Sequence, residues 1–147
     1  ITIPEVGTIK AKEPPIVIIT SNRTREIHDA LKRRCLYHFV DYPDIDQELK
    51  ILQTRVPKIR EELSLAIIHF VKELRGIELF KQPGIAETID WAQAIVELNY
   101  ISINPEVLES TIGTLLKNQD DIKKLKDSEA AKILATIQTE ISLINRK

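Results

Sequence analysis

The sequence predicts an α/β fragment followed by an all-α bundle, and three observations carry that expectation. The run Ile16-Val17-Ile18-Ile19-Thr20 is continuous and β-branched, the pattern of a strand buried on both faces. A second strand-like run, Leu36-Tyr37-His38-Phe39-Val40, follows after a short helical stretch. Beyond Tyr42-Pro43-Asp44 the apolar residues recur only with helical period.

The elements follow in order. Residues 1–11 alternate apolar and polar side chains about a turn containing Gly7, which reads as a β-hairpin, with Pro4 pushing one arm toward a sheet edge. Pro14 and Pro15 separate the hairpin from the strand at 16–20. Residues 24–33 read as a short helix and 36–41 as another strand. Asp44 and Gln47 form a capping-box pair that opens a helix running to about Val56, before Pro57. Leu63, Ile67, Phe70, Val71 and Leu74 mark one face of a helix closing before Gly76. After Gly84, Ile85, Ile89, Ala92 and Val96 share a side, with Trp91 and Ile95 beside them. Asn104-Pro105-Glu106 is an N-cap followed by proline at the first helical position, and Leu108, Ile112, Leu115 and Leu116 supply the buried face. A last helix begins near Asp127 or Ser128 and carries Ile133, Leu134, Ile137, Ile141 and Ile144. Residues 1–42 therefore form one part and 43–147 a bundle of four or five helices.

Composition narrows the function classes. With 21 basic and 22 acidic residues the net charge is −1, so there is no general basic field for nucleic acid. No apolar run approaches the roughly 18 residues that span a bilayer, and the first residues lack the pattern of a signal peptide, so the expected setting is cytoplasmic and without a membrane. Cys35 is the single cysteine, and His28, His38 and His69 have no ligand-spaced neighbours, so no metal site is expected. Asp41, Asp44 and Asp46 lack the glycine and terminal glutamate of a calcium loop and read as caps and turns.

The chemistry-bearing residues lie at the ends of the two strand-like runs. Ser21-Asn22 follows the first run, and the basic cluster Lys32-Arg33-Arg34 precedes the second. An amide can orient a water, and a guanidinium forms bidentate bonds to phosphate oxygens. Each has a plainer reading: Asn22 as a helix N-cap, Arg33 and Arg34 as solvated surface charges, Trp91 as core. The chain has four glycines and no GxxxxGK followed by Ser or Thr, hence no phosphate cradle of its own, and no strand-like run closing on paired acidic residues.

The segments ITIPEVGTIKA, PPIVIITSNRTREIHDALKRRCLYHFVDYP and PGIAETIDWAQAIVEL resemble the second half of an AAA+ ATPase of the MoxR family, in the branch associated with carbon monoxide dehydrogenase maturation. The resemblance implies the last strands of a P-loop AAA+ core with a presensor hairpin, followed by a helical lid. Asn22 matches the first-sensor position facing the γ-phosphate. Arg34 matches the arginine finger acting across a subunit boundary, and Arg33 could share or replace it, since the family often has an acidic residue there. Thr88 and Trp91 lie where the lid approaches nucleotide, although no arginine occurs between Gly84 and Trp91, which departs from the usual second sensor. ATP and Mg2+ are the implied cofactors, held mainly by motifs this chain lacks.

The same resemblance implies a self-associating ring, a hexamer, with a client metalloenzyme and a von Willebrand factor A domain protein as partners. The parent would be an ATP hydrolase and this chain alone inactive. Two readings from other classes remain beside it: a non-catalytic helical adaptor, and a nucleic-acid binder using Arg23, Arg25, Lys32, Arg33 and Arg34. Strands of the buried type without neighbours predict that residues 1–41 are poorly stable or self-associating, whereas the helical part folds through local contacts.

Overall fold

The computed structural model describes residues 2–8, 10, 12–21 and 28–144. The chain divides into two compact units, Ile1–Val40 and Asp41–Lys147.

In the first unit, β1 (Thr2–Ile3) pairs antiparallel with β2 (Gly7–Thr8), Thr2 opposite Thr8 and Ile3 opposite Gly7. Gly7 has a φ of 85°, the left-handed region glycine enters without a Cβ penalty, so the turn reverses here. The two threonine hydroxyls meet across the pair at 3.1 Å. The short helix α1 (Asp29–Lys32) starts at His28, whose Nδ1 accepts from the Ala30 amide at 3.4 Å. The rest of the expected helix over 24–33 falls partly on residues 22–27, outside the described residues.

The expected α/β class is corrected here. The described residues are mostly helical, and their one sheet is the two-stranded β1-β2 pair, which is not an AAA+ core. Residues 16–20 and 36–40 are not strands. The physical reason is pairing: a strand is held by its ladder, and among the described residues no ladder joins either run. Ile16 is 94% exposed and Leu36 fully so, with Val17, Ile18, Tyr37 and Val40 also open to solvent.

The second unit contains six α-helices among the described residues: α2 (Ile45–Arg55), α3 (Glu61–Arg75), α4 (Ile85–Glu97), α5 (Pro105–Leu115), α6 (Gln119–Lys124) and α7 (Ala130–Ile144). Its core gathers the apolar faces expected from their spacing. Ile67, Phe70, Val71 and Leu74 of α3 meet Trp91 and Ile95 of α4 and Val107 and Leu115 of α5, all essentially without solvent contact. The Phe70 and Trp91 rings pack with centroids 5.2 Å apart at 47°, a tilted arrangement favoured by ring quadrupoles. Helix α4 packs on α5, and α3 on both α2 and α7.

Caps explain where the helices begin. Asp44 Oδ1 accepts from the Gln47 amide at 2.8 Å, and Asn104 Oδ1 from the Val107 amide at 2.9 Å with Pro105 in the first turn. Asn99, with a φ of 61°, terminates the α4 region in the left-handed conformation that asparagine tolerates. The last helical stretch begins earlier than expected. Asn118 caps α6 by accepting from the Asp120 and Asp121 amides, and a π-helical turn over Leu125–Glu129 joins α6 to α7.

Candidate functional site

The sequence-expected site residues fall on different parts of the chain. Asn22 lies outside the described residues. Arg33 caps the C-terminus of α1 and Arg34 occupies the turn after it, its amide donating to the Leu31 carbonyl at 3.0 Å. Both arginines are exposed, as is the following Cys35 thiol. The two guanidinium groups are thus available at one turn, directly before the exposed run Leu36–Val40.

Thr88 and Trp91 sit one turn apart on α4, facing inward. Thr88 is 4% exposed, and its hydroxyl donates to the Gly84 carbonyl at 2.9 Å. Trp91 is wholly buried, and its Nε1 donates to the Thr111 hydroxyl at 2.8 Å, which in turn donates to the Val107 carbonyl. Thr88 also lines a cavity of about 10 Å³ between α2 and α4, with Glu48, Ile51, Leu52, Ile85 and Ile89. That is about the room one water needs.

Glu87, at the start of α4, accepts from the Gly84 amide at 3.1 Å and from Lys81 Nζ at 3.1 Å. Burial pushes its pKa up, but the hydrogen bond and charge of Lys81, with backbone hydrogen bonds at Glu87 and Gly84, outweigh it and hold the carboxyl below its ordinary range. It is a cap, and it fixes the loop that carries Pro83.

Sequence reasoning missed the most connected polar site, centred on Arg75 at the end of α3. Its Nη1 donates to Glu48 Oε1 at 2.6 Å and its Nε to the Pro83 carbonyl at 2.9 Å. Its own carbonyl accepts from Gln82 Nε2 at 2.8 Å. The guanidinium carbon lies 4.2 Å from the centre of the Tyr42 ring. Glu48 is 6% exposed and the Arg75 side chain 11%, so this is a buried ion pair. The second terminal nitrogen, Nη2, is buried without an acceptor among the described residues. A cation over a ring contributes about 0.5–2 kcal/mol, and a buried donor left unpaired costs about 1–3 kcal/mol. The only sequence signal was a basic residue in the last turn before Gly76, which also describes many exposed helix ends.

A second buried carboxylate, Asp121 of α6, accepts from the Phe80 amide at 2.8 Å and the Lys81 amide at 3.3 Å. It fixes the α3–α4 loop while the Phe80 side chain remains 86% exposed. His69 Nδ1 and Glu140 Oε2 meet at 2.6 Å, tying α3 to α7.

Among the described residues no group of three or more His, Cys, Asp or Glu side chains is placed to hold a metal ion, and no helix is long and apolar enough to cross a membrane. No protein-family model, curated protein or solved structure matches the chain.

Proposed function

We propose that this chain is the sensor, finger and lid portion of a MoxR-type AAA+ ATPase, acting on nucleotide that other polypeptide holds. The first unit is not itself an AAA+ core; its role in this reading is to deliver Arg34, with Arg33 beside it, and Asn22 to the terminal phosphate. The observation that carries the reading is the exposed pair of arginines at the α1 turn, in a unit whose apolar residues at 16–19 and 36–40 lie open to solvent. Runs of exposed apolar side chains such as these are what a covering polypeptide would bury. A guanidinium next in sequence to such a run would supply charge to equatorial phosphate oxygens only once the partner is seated. Hydrolysis then depends on assembly, with ATP and Mg2+ held by the partner and the helical unit serving as lid. The MoxR resemblance extends the proposal to a cytoplasmic ring, a hexamer, that remodels a client metalloenzyme with a von Willebrand factor A domain protein.

The test begins upstream of Ile1: a GxxxxGK segment and an acidic strand end there are expected. In the protein carrying both halves, Arg34→Ala should lower ATP hydrolysis by roughly 10³-fold or more while ATP binding is retained, the size typical of an arginine finger. Unchanged hydrolysis rejects the assignment.

A second reading, a non-catalytic helical adaptor, is favoured by Phe80. An aromatic side chain 86% exposed on a loop pinned by buried Asp121 would serve a partner as an anchor. A start codon directly before Ile1 would favour the adaptor.

A further inference from the structure

We propose that the bond between Arg34 and Cys35 is a processing site for an endoprotease that reads paired basic residues, and that its cleavage releases the helical unit as an intact piece. Such an enzyme seats an arginine in an acidic pocket and holds the flanking chain extended, so its substrate must be basic and must straighten without dismantling a core. Lys32-Arg33-Arg34 is the one run of three basic residues in the sequence. Every residue from His28 to Tyr42 is exposed, and α1, only four residues long, buries none of its side chains. A helix of that length has little stability of its own, so it opens readily. Beyond Arg34, residues 36–40 join no ladder among the described residues.

A basic pair alone does not make the site, as Lys123-Lys124 illustrates. That pair closes α6, and Lys124 Nζ donates to the Glu78 carbonyl at 2.6 Å. The next residue, Leu125, is 1% exposed in the core, so extending the chain there would pull a buried leucine into water. A cut behind Arg34 has no such consequence, because the buried cluster runs from Leu52 to Ile137, all within the unit that starts at Asp41. Water adds to the Arg34 carbonyl carbon, the C–N bond to Cys35 breaks, and the products are an Arg34 carboxylate and a free amino group on Cys35. The new terminus therefore carries an amine and a thiol on adjacent carbons. Both guanidinium groups leave with the first unit, so in the ATPase reading the cut would part the finger from the lid. The cut itself is measured without nucleotide and stands or falls separately from that reading.

The experiment incubates the native full chain with a serine endoprotease specific for paired basic residues and follows the products by intact mass. Cyanobenzothiazole, which condenses with a terminal amine beside a thiol, marks the new end. Fragment 35–147 is expected to appear as the chain disappears, to take up the reagent, and to keep the Trp91 emission of the uncut protein. Arg34→Gln should slow its formation by about a hundredfold or more, since a neutral amide leaves the acidic pocket unpaired. Absence of cutting overturns the proposal, as does cleavage after Lys124 at a comparable rate, a first fragment that does not take the reagent, or a fragment whose tryptophan emission shifts to that of the unfolded chain.

Discussion

Arg75 concentrates more of the helical unit's polar organisation than any residue singled out by motif. Replacing it with methionine leaves Glu48 charged and buried, so Arg75→Met should lower stability by about 3–5 kcal/mol in urea unfolding. Adding Glu48→Leu should recover a large part of that loss, because the stranded charge is removed as well. Absence of recovery would mean that the Pro83 and Tyr42 contacts dominate. Glu87 gives a pH prediction. Its folded pKa lies below the ordinary value, so the stability it contributes is complete above the ordinary glutamate range and is lost as pH falls through the lower folded value. Glu87→Gln should therefore be less stable than wild type at neutral pH, with the gap closing in acid, followed by Trp91 emission. A gap independent of pH would assign the effect to packing. None of these roles was legible beforehand. A lone arginine or glutamate in a helical pattern has the same local signature whether it faces water or a buried partner, and its partner here is 27 residues away.

At the level of elements, legibility followed the strength of local signals. Asp44 and Asn104 were readable as caps because their hydrogen bonds close within three residues. The faces of α3, α4 and α5 were readable because Leu63, Trp91 and Leu108 belong to long apolar stripes. Helix α6 escaped notice since Gln119–Lys124 holds one apolar residue, Ile122, and depends on the Asn118 cap and the Asp121 bonds to the preceding loop. The runs at 16–20 and 36–40 misled for the opposite reason: composition suits a strand, but pairing is a property of neighbours. The π-helical turn yields a prediction of its own. At about 100° per residue, an unbroken α-helix would turn Ile133 and Ile137 away from Leu125; the extra residue absorbed at 125–129 brings the three buried side chains back into line. Deleting Lys126, exposed and paired with Glu109 only at 4.0 Å, should leave a regular helix with the same buried stripe. The melting temperature is expected to be unchanged or higher, and a clear fall would show that the wide turn itself is needed.

For the molecule as a whole, the contrast between the units is the main expectation. Amides in α3, α4 and α5 should exchange slowly, while those of 16–19 and 36–38 exchange near the unprotected rate, their apolar side chains lying open. The same surface should make the isolated chain associate as its concentration rises, detected by sedimentation. Equal protection throughout an isolated monomer would remove the argument that the first unit awaits a covering partner. One further consequence follows from residue placement. The single tryptophan, Trp91, is enclosed in the second unit, and the single cysteine, Cys35, stands exposed in the first, next to Arg34. A thiol-reactive fluorophore on Cys35 therefore gives the unmutated chain one energy-transfer partner in each unit, with Trp91 as donor and no substitution required.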